Sequence, residues 1–263
     1  MIAEEWSSRT ELLIGSDNLQ KLKNAHLLIV GLGGVGAYAA EQLCRAGIGK
    51  FTIVDADTVQ PSNRNRQLPA LISNQGKLKA KVMAERMRDI NPDVNIEVIA
   101  EYVKEQRLVD ILEAAKYDYV VDAIDTLSPK IYFIYNTVSR GLKLVSSMGA
   151  GGKFDPMQVH IADIEQTYMC PLADMIRKRL HKFGLYTGFK AVFSTEKALK
   201  DSIIPNDTDR NKKSTVGTIS YLPPLFGCCI ASVVIREILG HEIKSDLPVP
   251  RSIKKKIKET ANQ

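Results

Sequence analysis

The sequence predicts an α/β fold, a doubly wound and mainly parallel sheet followed by a smaller irregular basic region, and three observations predict it. Apolar strand-like runs at 26 to 30, 51 to 54, 95 to 100, 118 to 121 and 143 to 146 alternate with helical patterns near 35 to 46, 77 to 90, 104 to 115 and 128 to 140. Alternation of this kind gives parallel strands with helices on both faces. The first strand feeds Gly31-Leu32-Gly33-Gly34-Val35-Gly36 at the head of a helix, and the second ends in Asp55.

Glycine, strand and acid in that order make a Rossmann-like nucleotide site. Gly31 serves the sharp turn, Gly33 the approach of backbone to phosphate, and Gly36 the close packing of helix on sheet. Phosphate then sits on the helix N-terminus. Asp55 is the candidate for the ribose hydroxyls, although an Asp after a strand also caps turns.

The remaining elements follow in order. Residues 1 to 25 read as an N-terminal helical segment and 26 to 150 as the nucleotide-binding region. Asp89-Ile90-Asn91-Pro92 closes a helix, because proline disfavours helix at the residue before it. After Gly149-Ala150-Gly151-Gly152 the pattern changes, and 151 to 240 form the second half of the same domain. There, 157 to 161 reads as a strand and 171 to 182 as a basic helix with proline in its first turn. Residues 184 to 215 read as a polar, irregular, mobile crossover, and 241 to 263 as a basic tail. The apolar run 216 to 239 holds Pro223-Pro224, Gly227 and Arg236, which suits a buried strand-turn-helix better than a membrane span. Peripheral membrane contact stays open.

Composition sets outer limits. The chain has 263 residues, 44% apolar and 25% charged, an ordinary globular balance. Four cysteines and no signal-peptide pattern predict a reducing, cytoplasmic setting. The net charge is +6, and basic clusters concentrate in the second half: Arg177-Lys178-Arg179, His181-Lys182, Lys190, Arg210, Lys212-Lys213 and Lys254-Lys255-Lys256 with Lys258. Together they favour RNA over a small neutral substrate.

Chemistry concentrates after the second strand. Asn63 and Arg66, three apart, share one face of a helical turn and point at one anion. Lys79, at the start of the next helix, adds a cation. Asp125 follows the strand ending at residue 121 and stands at the carboxyl edge, where doubly wound folds bind ligands. A carboxylate opposite phosphate is a natural Mg²⁺ ligand, and Asp122 fits that argument equally. A nicotinamide-dependent dehydrogenase needs only the glycine loop; Arg66 and Lys79 count against it.

Gly31, Gly33, Gly34, Gly36, Asp55, Asp57, Asn63, Arg66, Lys79 and Asp125 reproduce the pattern of the ubiquitin-activating-like superfamily, which this chain resembles over about 9 to 240. The resemblance implies ATP at the carboxyl edge, Asp55 on ribose, Asn63 and Arg66 on the β- and γ-phosphates, Lys79 on the α-phosphate and Asp125 on Mg²⁺. It implies carboxylate adenylation, with Arg66, Lys79 and Asp125 as the catalytic set. It also implies a homodimer in which an arginine from the partner's N-terminal segment reaches the γ-phosphate. Arg9 is the candidate, although the pattern places that arginine where this chain has Leu12.

The chain contains no C-x-x-C, so it cannot build a Cys₄ zinc site, and no cysteine lies between 184 and 215. Cys44, Cys228 and Cys229 read as core; Cys170, before Pro171, is the best candidate if a reactive thiol exists, and an inert role is the favoured reading. The segments 81 to 92, 121 to 125, 149 to 156, that around Pro171 and 192 to 196 are similar to the tRNA threonylcarbamoyladenosine dehydratase branch. That likeness implies activation of the threonyl carboxylate at tRNA position 37, cyclisation with loss of water, and tRNA and a sulfur-acceptor-type helper protein as partners. The alternative within the superfamily is a sulfur-carrier-protein adenylyltransferase of thiamine or molybdopterin synthesis.

Overall fold

Alternate residues of each strand face opposite layers, and that rule builds two hydrophobic cores from one sheet. The computed structural model describes residues 5–103, 105–205, 214–245 and 247. Its helices are α1 (Ser8–Ile14), α2 (Ser16–Asn24), α3 (Gly36–Arg45), α4 (Lys79–Ile90), α5 (Glu105–Glu113), α6 (Leu127–Ser139), α7 (Pro171–His181) and α8 (Leu222–Ile238). Its strands are β1 (His26–Val30), β2 (Lys50–Val54), β3 (Asn95–Ile99), β4 (Tyr119–Asp122), β5 (Leu144–Ser147), β6 (Val159–Asp163), β7 (Lys190–Ser194), β8 (Ile203–Pro205) and β9 (Ser214–Val216). Leu27, Ile29, Phe51, Ile53 and Val121 pack beneath α3, α4 and α8; Leu28, Val30, Val54 and Val120 pack beneath α5, α6 and α7. Each such side chain contributes about 1.5–3 kcal/mol on burial.

Seven strands form one sheet in the order β3-β2-β1-β4-β5-β7-β6, parallel except for β6 against β7. The chain winds outward from β1 to β3, then returns to β4 on the other side of β1. The order therefore reverses between β1 and β4, and a crevice opens at their carboxyl ends, where ligands of such folds bind. Both β1 and β4 are buried along their whole length. The α/β class and the positions of the first five strands stand as the sequence predicts.

One stretch differs. The polar, irregular crossover expected at 184 to 215 instead contains β7, which lies between β5 and β6 with Ala191, Val192 and Phe193 fully buried. A short strand covered on both faces shows no polar alternation, so its period carries no signal. Residues 206–213 of that stretch, with Arg210 and Lys212-Lys213, lie outside the described residues, as do Lys254 to Lys258 of the basic tail.

α8 closes the molecule against α3. Pro223 and Pro224 occupy its first turn, where the missing N–H costs nothing. A Cβ on Gly227 would meet the Val35 carbonyl oxygen at 2.6 Å, so the two helices touch along backbone. Among the described residues no helix is long and apolar enough to cross a membrane.

Candidate nucleotide-binding site

The glycine loop leaves β1 with Gly31 at φ +93, its N–H bonded to the Val54 carbonyl at 2.8 Å. A Cβ there would meet the Ala123 oxygen at 2.7 Å, so the loop lies directly against the turn after β4. At Gly36 a Cβ would stand 1.8 Å from the Gly31 oxygen, which ties α3 to the loop. Gly33 is different: a Cβ there meets only Gln67 Nε2, at 3.7 Å, leaving open backbone at the head of α3. The turn at Gly31 and the close packing at Gly36 are as the spacing predicts, and Gly34 lies beneath Arg66, whose Cγ would be 3.5 Å from a Cβ there.

Asp55 at the end of β2 braces this loop. One carboxylate oxygen accepts from Leu32 N at 2.6 Å and the other from Asp57 N at 2.8 Å. It thus does cap the following turn, yet a carboxylate has about four lone-pair sites and keeps capacity for ribose hydroxyls. Burial pushes its carboxyl above the usual aspartate range, against the opposing pull of Lys79 and the two backbone N–H groups.

Residues 57 to 59 run beside 76 to 79. Val59 N bonds to Lys77 O and Lys79 N to Asp57 O, both at 2.9 Å, which sets Lys79 as the first residue of α4. Its side chain is buried, 5% exposed, and Nζ lies 2.8 Å from Asp57 Oδ2. Asp57 is 73% exposed. A desolvated ammonium at a helix start, held by an outward carboxylate, is poised to exchange partners with an incoming anion.

Asn63 and Arg66 sit on the turn that follows. Asn63 Oδ1 accepts from Gln60 N at 3.1 Å and its backbone carbonyl accepts from Arg66 N at 3.1 Å. The helical turn inferred from their spacing is present. Arg66 Nη1 donates to Ser62 O at 3.0 Å and Asn65 Oδ1 at 2.8 Å, so the guanidinium is folded over its own turn. Next to it, Gln67 Oε1 is buried with no hydrogen-bond partner. Such an orphan beside a glycine loop is costly unless something else pairs with that amide, and sequence reasoning passed Gln67 over. Its adjacency to Arg66 was the signal available.

The turn after β4 separates Asp125 from Asp122, which could substitute for it on the edge-of-sheet argument alone. Asp122 is fully buried and bonded to Lys130 and Ser146, both at 2.6 Å, so its oxygens are committed inside the sheet. Asp125 is exposed at the same carboxyl edge. Arg9 is exposed on α1. The adjoining α2 lies at the opposite edge, where Leu19 would touch a Cβ on Gly47 at 3.0 Å.

A triphosphate suits these surroundings: an open glycine cradle, a buried orphan amide with an arginine next to it in sequence, and a desolvated lysine at the start of α4. Magnesium suits them too, because a single exposed carboxylate beside phosphate oxygens is the donor set that this hard ion takes. Among the described residues no three His, Cys, Asp or Glu side chains gather into a group that could hold a metal.

Cys44 is buried on α3, its thiol pushed up to about 12 by burial. Cys170 is buried at the start of α7. Cys228 is exposed, which corrects its assignment to the core, because it turns away from α3 while Gly227 makes the contact.

Fold and crevice define a Rossmann-like, nucleotide-binding α/β protein with its glycine loop at the reversal of strand order. The chain belongs to the ThiF family, whose sequence pattern matches residues 7–261. It is 36% identical over 245 residues to the tRNA threonylcarbamoyladenosine dehydratase of Bacillus subtilis, covering 90% of this chain and 96% of that one. With the Escherichia coli protein of that name identity is 41% over 206 residues, covering 74% and 76%. A crystal structure of the E. coli tRNA N6-threonylcarbamoyladenosine dehydratase in complex with ATP superposes with a TM-score of 0.82 at 35% identity, covering 91% of this chain and 97% of that one.

Proposed function

We propose that this chain is an ATP-dependent tRNA threonylcarbamoyladenosine dehydratase. The observation that carries the reading is the junction of glycine loop, Lys79 and the Asp125 turn at the reversal between β1 and β4, in a chain that spans 96% of the B. subtilis protein bearing that name.

The threonyl carboxylate attacks the α-phosphate, a P–O bond forms, and pyrophosphate leaves with its electron pair. The neighbouring carbamoyl group then attacks the acyl carbon and gives up its N–H proton to solvent, AMP departs with one carboxylate oxygen and the electron pair of the broken acyl bond, and the ring closes. Water is lost in sum, its oxygen retained in AMP. Because the second nucleophile is tethered to the substrate, effective concentration replaces a catalytic thiol.

Glycine-loop N–H groups and the α3 N-terminus receive phosphate, and Asp55 receives the ribose. Lys79 leaves Asp57 for the α-phosphate, while Asn63, through its NH₂, and Arg66 open from their own turn onto the β- and γ-phosphates. Asp125 would hold Mg²⁺, which would supply charge neutralisation at the phosphates. Fixed positive charge of this kind is the main protein contribution to transfer at phosphorus. The basic second half holds the tRNA backbone. The active unit is a homodimer in which Arg9 is directed to the partner's site, the setting is cytoplasmic, and a helper protein supplies or receives substrate.

The sulfur-carrier-protein adenylyltransferase reading shares the crevice. It is disfavoured because the chain has no C-x-x-C pair and spans 96% of the B. subtilis dehydratase and 97% of the E. coli dehydratase chain of known structure. Mass spectrometry of tRNA nucleosides from cells lacking this chain separates the two: the dehydratase reading expects loss of the cyclic form with accumulation of threonylcarbamoyladenosine. Unchanged nucleosides would overturn it.

A further inference from the structure

Asp122 and Lys130 are both fully buried, with Nζ 2.6 Å from Oδ2. Two charges removed from water are a poor device for stability alone, since their desolvation offsets most of their attraction. What they hold is therefore informative. Asp122 Oδ1 accepts from Ile124 N at 3.1 Å, and Lys130 Nζ donates to Ile124 O at 3.0 Å. Both polar groups of the residue immediately before Asp125 are thus captured by the two members of one ion pair. Ser146 Oγ, donating to Asp122 Oδ2 at 2.6 Å, fixes the carboxylate from β5. On the other side, Ala123 N bonds to Val30 O at 2.9 Å, and the Ala123 oxygen abuts Gly31.

We infer that the Asp122–Lys130 pair is a positioning device that sets Asp125 at a fixed distance from the glycine loop, and so determines how tightly Mg²⁺ is held against the bound nucleotide. The inference rests on the proposed role of Asp125 as the magnesium ligand. Lys130 sits on the first turns of α6 and Asp122 ends β4; the pair ties the strand before the turn to the helix after it. Neither side chain reaches the crevice, and their effect passes through the Ile124 peptide. Outer partners of this kind typically change metal affinity rather than assemble the ligand set.

The test compares ATP affinity of the full chain by calorimetry in EDTA and across a Mg²⁺ titration. The variant is Asp122→Asn with Lys130→Met, which removes both charges together and leaves neither buried alone. Expected are wild-type ATP affinity in EDTA and a Mg²⁺ concentration for half-maximal response raised about tenfold or more. A wild-type Mg²⁺ response in this variant, with Asp125→Ala having lost it, overturns the positioning role alone. A retained response in Asp125→Ala overturns the magnesium assignment itself and this inference with it. If the double variant does not fold, Ser146→Ala, which keeps both charges, is expected to shift the Mg²⁺ midpoint by a factor of about three; an unmoved midpoint there contradicts the inference.

Discussion

Lys79 Nζ and Asp57 Oδ2 lie 2.8 Å apart, one side chain 5% exposed and the other 73%. The lysine has given up its water, while the aspartate keeps most of its own. Such a pair contributes little to stability, about 0–1 kcal/mol at an exposed partner, yet it stores a desolvated charge at the mouth of the crevice. Lys79→Ala is expected to lower adenylation by about 100-fold or more. Asp57→Asn, by contrast, releases Lys79 and is expected to change the rate by less than about tenfold. Single-turnover AMP formation measures both, and equal losses would contradict the assignment of the cation to phosphate.

Gly33 and Gly36 are expected to behave oppositely. Alanine at Gly36 drives a Cβ to 1.8 Å from the Gly31 oxygen, so the loop must move; a loss of about 3 kcal/mol or more in stability follows by overpacking. Alanine at Gly33 meets only Gln67 Nε2 at 3.7 Å and leaves the fold intact, but it fills the cradle. Thermal melting together with ATP titration distinguishes them. Normal ATP binding by a folded Gly33→Ala protein would contradict the phosphate position.

The pH dependence of ATP binding follows from Asp55. Its folded carboxyl is raised, chiefly by burial, so it takes up a proton at higher pH than an ordinary aspartate. Protonation removes an acceptor from the ribose and loosens the bond to Leu32 N. Affinity is therefore expected to fall as pH is lowered, beginning above the ordinary aspartate value of about 4. Asp55→Asn binds more weakly throughout and loses that part of the profile. Identical profiles for the two proteins would contradict a ribose contact.

Arg66→Ala and Asn63→Ala are expected to weaken ATP more than AMP, because both reach for the outer phosphates. A loss of about 1.5–3 kcal/mol for ATP, against little for AMP, is the magnitude of a charge-assisted bond. Equal losses for both nucleotides, measured by competition, would place these residues elsewhere.

Much of this was legible in the chain. A glycine loop after an apolar strand, an acid ending the next strand and a lysine at a helix start are local features, each with a local physical cause. The structure adds what depends on distance in sequence. Asp122 could stand in for Asp125 on the strand-edge argument until Lys130 and Ser146, from α6 and β5, claimed it. β7 was hidden because a strand buried on both faces loses its alternation. Cys228 carries the same apolar helix context as its neighbours, and only the contact of Gly227 with α3 decides which face looks outward. Gln67 needed the glycine loop beside it before its amide became informative.

The central claim is that ATP is spent here to activate a carboxylate carried on tRNA. Purified chain, Mg²⁺-ATP and tRNA bearing threonylcarbamoyladenosine are expected to release AMP and pyrophosphate in step with ring closure, with no release on tRNA carrying unmodified adenosine. Release that ignores the tRNA modification, and is stimulated instead by a small carrier protein ending in Gly-Gly, would contradict it.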